Sequence, residues 1–234
     1  MINEKKVVEY VKRQNKKLVN QKIGVFDIVF KDHFINDINH KSVFENINNL
    51  LPEHFINNID VIYVGEFDFF KEREINASYL DGAIYVSNVQ DNEQDLLDDI
   101  VHEIAHALEE SYSDIIYQDK KIEKNFLHKR SILERNLRHS GFDTSQYDFS
   151  NIVYDKDLDF FLYKEVGYER LNTFIQGLFL TEYSVVSLKE YFATGFEENY
   201  INKSLYLKKI CPYIYDKLVL LEELETGENN EIYF

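Results

Sequence analysis

The chain has 234 residues, of which 44% are apolar and 15% aromatic, enough for a hydrophobic core and too many for a globally disordered chain. Lys and Arg number 26 against 42 Asp and Glu, and the net charge of −16 argues against a general binder of nucleic acid or anionic membrane. One cysteine, Cys211, excludes an intramolecular disulfide framework. No apolar run reaches the roughly 18 residues of a spanning helix, and the stretch from Met1 to Tyr10 lacks the apolar segment of a signal peptide. The expectation is a chain made in the cytoplasm, with export by another route left open.

In chain order, residues 3–20 read as a charged helix with Val7, Val8, Val11 and Leu18 on its apolar side. Ile23–Phe30 reads as a strand, and Ser42 as the cap of a helix that stops at Pro52. A second strand is expected over Ile59–Val64, followed by a loop or ragged strand at Asp68–Asn76 with Phe67, Phe69 and Phe70 buried. Asp81-Gly82 then marks a hairpin within Ala77–Val86. Ile115–Arg138 is mostly helical and ends at Gly141, and 143–157 is a long polar and aromatic loop. Lys120, Lys121, Lys124, His128, Lys129, Arg130, Arg135, Arg138 and His139 make this helix basic, which reads first as a solvated face. A helix from Asp157 or Asp159 to Leu178, a last helical region over Lys203–Leu224 and an acidic tail at 225–234 complete the pass.

The chain is organised around Asp91–Ser111. Asp91 or Asn92 can cap a helix in which Leu96, Leu97, Ile100, Val101, Ile104, Ala105 and Leu108 recur at steps of three and four. On that helix His102-Glu103-Ile104-Ala105-His106 sets two imidazoles one turn apart on one side, where both can reach one ion. Glu103 points to the side of that ion, where it can act as a base. This is the H-E-x-x-H arrangement of zinc hydrolases. A catalytic zinc has three protein ligands, so a third must come from elsewhere. A histidine six residues after His106 is absent, because Tyr112 stands there, and Phe126 occupies the position of a glutamate about twenty residues on. The carboxylates of the C-terminal half remain: Glu190, with Glu182, Glu197 and Glu198 as alternatives. Ser187-Leu-Lys-Glu190 also fits a capping box, in which Glu190 would bond the Ser187 amide instead. His128 and His139 read as surface residues.

Glu190-Tyr191-Phe192-Ala193 resembles the Glu-aromatic-Phe-Ala segment of the anthrax lethal-factor catalytic domain and the clostridial Pro-Pro endopeptidases. The resemblance implies that Glu190 completes a one-zinc site with His102 and His106, and that Tyr183, seven residues earlier, assists catalysis. It matches Glu109 to an acidic residue that would hold the far N–H of a ligating histidine. It runs in order through Ala83–Val86, the motif helix, Tyr183–Phe196 and the Pro212 helix. Three departures stand against it. More residues separate His106 from Glu190 than the family pattern has, so about 113–157 reads as a helical and loop insertion. Thr194 stands where family members carry a second glutamate, and the N-terminal third has no counterpart.

The expectation is thus an α+β, zincin-like domain over 1–224: a small twisted mixed sheet packed on the active-site helix, then a mainly helical half. Its function would be zinc-dependent endopeptidase, with Glu103 as general base, Tyr183 assisting, and His102, His106 and Glu190 on one zinc ion. The polypeptide substrate would add as a strand along Ala83–Ser87. The alternative is a binding or structural protein that keeps the fold without the chemistry. Nothing in the sequence bears on oligomeric state.

Overall fold

A computed structural model describes residues 19–73, 75–203 and 205–224. The expected helix at 3–20 therefore lies outside the described residues up to residue 18, and the acidic tail lies outside them too. Val19 and Asn20 belong instead to a first strand.

The architecture is α+β. Strands β1 (Val19–Ile23) and β2 (Phe26–Phe30) form a hairpin where one strand was expected, because Gly24, at φ 58°, turns the chain between them. Helix α1 (His40–Leu50) follows, capped by Asn39, whose side chain accepts from the Ser42 amide at 3.3 Å; Ser42 is not itself the cap. Pro52 ends that helix and opens the short α2 (Glu53–Ile56). After β3 (Val61–Gly65) the expected loop is a short helix, α3 (Asp68–Arg73), in which Phe70 is buried while Phe67 and Phe69 are half-buried beside Tyr85.

Strands β4 (Ala77–Leu80) and β5 (Ala83–Ser87) are the expected hairpin, with Asp81 and Gly82 both at positive φ as a type I′ turn requires. The sheet order is β1-β2-β3-β5-β4, parallel across β2, β3 and β5 and antiparallel at both ends. This corrects the placement of the open edge. Ala83–Ser87 has a neighbour on each side, so its backbone groups are taken, and the edge strand is β4.

Alternation sets the two faces. Ile62, Val64, Ile84 and Val86, paired in register, are fully buried on one face. Against that face lies α4 (Glu93–Tyr117), which buries Leu96, Ile100, Ile104 and Leu108 and bends at Tyr112. Helix α5 (Lys121–His139) follows and ends at Gly141, φ 92°. The irregular segment 140–155 leads into α6 (Lys156–Phe160), a π-helical stretch over Phe161–Gly167, and α7 (Tyr168–Ile175). Helices α8 (Leu188–Glu197), α9 (Leu205–Ile210) and α10 (Pro212–Glu223) complete the described residues. Buried apolar residues from Ile23 to Leu221 form one continuous cluster. Among the described residues no helix is long and apolar enough to cross a membrane.

The basic helix departs from expectation at two positions. Lys129 and Arg130 are core residues, not solvated ones. The Lys129 ammonium donates to the Tyr191 hydroxyl and the Ile210 carbonyl, both at 2.6 Å, and lies 4.9 Å from the centre of the Tyr191 ring. Arg130 sits over Phe126 and Phe149 and donates to the Asn151 carbonyl. Burial pulls both cations below their ordinary pKa values. His128 and His139 are exposed.

Gly195 fixes how closely α8 approaches α10: a Cβ there would stand 2.7 Å from Ile214 Cγ2. Gly195→Leu is therefore expected to destabilise the fold by about 1–3 kcal/mol through overpacking, read as a lowered urea midpoint at unchanged slope. An unchanged midpoint would show that the two helices separate freely.

Candidate metal centre

Two elements build the site. The first is α4, opened by Asn92, whose side chain accepts from the amides of Gln94 at 2.8 Å and Asp95 at 3.0 Å. Its apolar stripe seats it on the sheet, so His102 and His106 emerge on one side with their rings 4.9 Å apart. The second is the stretch that begins with the 3₁₀ turn Tyr183–Val185 and continues into α8. Ser187 caps α8 by accepting from the Glu190 amide at 3.2 Å, the backbone half of a capping box. The Glu190 carboxylate does not return to the cap. Its Oε2 lies 2.9 Å from His102 Nε2, and its Oε1 lies 3.6 Å from His106 Nε2.

One ligand atom from each of His102, His106 and Glu190 lies within 4.8 Å of the other two, a spacing that can hold one metal ion. Behind the imidazoles stand further carboxylates. His102 Nδ1 is 3.1 Å from Glu197 Oε2, and His106 Nδ1 is 2.9 Å from Glu109 Oε2. Tyr117, near the end of α4, donates its hydroxyl to the other Glu109 oxygen. With each Nδ1 directed at a carboxylate, both Nε2 atoms face the shared point. Glu197 and Tyr117 were not singled out for these tasks. Glu197 lies seven residues after Glu190, two helical turns on the same face, and that spacing is the signal that finds it. Thr194, one turn earlier, is buried. Glu182 accepts from Asn172 at 2.6 Å and Glu198 from Asn202 at 2.8 Å, and neither joins the cluster.

The electrostatics are those of a crowded acidic pocket. Burial alone would lower the His102 pKa, but Glu190 and Glu197 together raise it well above the ordinary 6.5. His106 is likewise pulled down by burial and raised on balance by Glu109 and Glu190. Burial raises Glu103, and the two histidines only partly offset this. Its Oε2 accepts from the Tyr79 amide at 2.5 Å, so the open edge of β4 holds the carboxylate in place. Glu190 ends below the usual carboxylate value: burial opposes ionisation, but the His102 bond and both imidazoles outweigh it. Tyr183 is 38% exposed, and burial of its hydroxyl end, with Glu190 nearby, keeps the phenol protonated far beyond neutral pH. That hydroxyl bonds no protein group among the described residues.

No protein-family model matches the chain, and neither a curated protein nor a solved structure matches it.

The imidazole–carboxylate pairs set a pH dependence. In the metal-free protein both histidines hold their protons above pH 6.5, so the stability these pairs contribute is complete below that value and is lost as pH rises through the raised ones. A bound cation replaces the same protons, so divalent-metal affinity should increase over that interval, with proton release measurable by calorimetry. Glu197→Ala should weaken that affinity by about 10–100-fold in a chelator competition. Unchanged affinity would leave Glu197 without influence on His102.

Proposed function

We propose that the chain is a zinc-dependent endopeptidase with a zincin-like fold. The observation that carries this reading is the convergence of His102, His106 and Glu190, with Glu103 buried beside them and Tyr183 at the rim. Two imidazole nitrogens and one carboxylate oxygen are a donor set that suits zinc and leaves a fourth position open. The likeness of Glu190–Ala193 and Tyr183 to the lethal-factor type of peptidase supports the same reading.

Zinc in that position would lower the pKa of a water and polarise the scissile carbonyl. Glu103 takes the proton from the attacking water and passes it to the leaving amine. Its pKa, raised by burial, moves it towards the pH at which such transfer is efficient. Tyr183, held protonated, donates to the oxyanion of the tetrahedral intermediate. Glu197 and Glu109 keep the imidazoles in the required tautomer. The substrate adds along β4, whose outer edge already offers the Tyr79 amide to Glu103, and not along Ala83–Ser87. A binding or structural protein would have no use for Glu103 among these groups, and burying a carboxylate there costs stability.

Glu103→Ala should retain zinc near one per chain by metal analysis and lose peptide hydrolysis. Tyr183→Phe should also retain zinc and lose about 10²–10³-fold in kcat. Glu190→Ala should lose the metal. Zinc retained as tightly in Glu190→Ala as in the wild type would contradict the ligand set.

A further inference from the structure

The irregular segment 140–155 lies between the two halves of the site in sequence and is pinned to the core. The buried Arg130 guanidinium donates to the Asn151 carbonyl. One residue on, the Ile152 carbonyl accepts from the Leu188 amide at 2.9 Å, two residues before Glu190. Asp155 then caps α6, accepting from the amides of Asp157 at 2.8 Å and Leu158 at 3.2 Å.

Tyr154 stands between these fixed points with its ring 48% exposed, and Val153 beside it is 66% exposed. The Tyr154 hydroxyl donates to Asp159 at 2.7 Å, which fixes the ring's orientation. The Ile152–Leu188 bond sets Tyr154 beside the stretch that carries Tyr183 and Glu190, and both phenols are exposed. Neighbouring Tyr163 packs on Tyr168 at 5.0 Å and is covered by the Lys164 ammonium, 3.9 Å from its ring centre. Tyr154 has no ring or cation over its face among the described residues. An exposed aromatic held rigid by its own hydroxyl bond offers a large contact surface at little cost in entropy.

We propose that Tyr154 is a specificity-determining residue: with Tyr183 it forms a wall of the cleft, against which an aromatic or large aliphatic substrate side chain packs next to the scissile bond. This rests on the peptidase reading above. A ring whose hydroxyl is already bonded to Asp159 presents its carbon face, which favours an apolar occupant over a basic one.

The test compares zinc-loaded wild type, Tyr154→Ala and Tyr154→Phe on three peptides that carry Phe, Ala or Lys beside the cleaved bond. Tyr154→Ala should lose about tenfold in kcat/KM on the Phe peptide, chiefly through KM, and change by less than about twofold on the Ala peptide. Tyr154→Phe keeps the ring but loses the Asp159 bond, so it should lose less on the Phe peptide than Tyr154→Ala does, and zinc content should be equal in all three. The chain has no tryptophan, so Tyr154→Trp in metal-free Glu103→Gln protein is the single tryptophan and can be excited selectively at the red edge, where the remaining tyrosines do not absorb. Its emission should shift to the blue with the Phe peptide and not with the Ala peptide. Equal discrimination by wild type and Tyr154→Ala, with hydrolysis intact, overturns this proposal alone. A Lys preference that disappears in Tyr154→Ala overturns the apolar assignment. Absence of hydrolysis by zinc-loaded wild type overturns the peptidase reading, and an unresponsive fluorophore then removes the wall as well.

Discussion

One carboxylate joins two parts of the chain that are 88 residues apart: Glu190 meets His102 and His106 across the packed helices α4 and α8. Each partner is fixed from behind. The sheet face seats α4, the Ser187 cap sets the first turn of α8, and the close approach at Gly195 sets the depth of α8 against α10. A slide of either helix would separate Glu190 from the imidazoles, and the close packing of the core opposes that slide.

The charge around this meeting point is out of balance. Glu103, Glu109, Glu190 and Glu197 surround two imidazoles, and Glu103 and Glu109 are almost fully buried. Burial of carboxylates is tolerated when they are hydrogen-bonded and when positive charge is near. Without a metal that charge comes from protons on the histidines, which is why both titrate above the ordinary value. A divalent cation would supply it more fully and would free both imidazoles to act as ligands. The same groups therefore account for the shifted pKa values and for a cluster whose spacing can hold one metal ion.

The parts of this arrangement set by local chemistry were legible in the sequence. Apolar spacing located α4, the four-residue step placed His102 and His106 on one side, and Asp81-Gly82 marked a hairpin. What sequence could not supply depends on pairing across long separations. No local pattern tells that β5 lies between β3 and β4, so the open edge went to the wrong strand of the hairpin. Lys129 and Arg130 read as solvated because their acceptors, Ile210 and Asn151, are remote carbonyls, and carbonyls leave no trace in residue identity. Glu190 carried two rival readings, and only the Ser187 half of the capping box forms: the Glu190 amide donates to the Ser187 hydroxyl, while the carboxylate turns to the histidines and not to the Ser187 amide. The one site residue with an unused signal was Glu197, whose position seven after Glu190 put it on the same helical face.

The account rests on one cation held by two imidazoles of α4 and a carboxylate of α8, and X-ray absorption at the zinc edge of the loaded protein tests this directly. The spectrum should show scattering from two histidine rings with oxygen completing the shell and no sulfur, which also separates this site from one involving Cys211. Sulfur in the first shell, or fewer than two histidine rings, would contradict it.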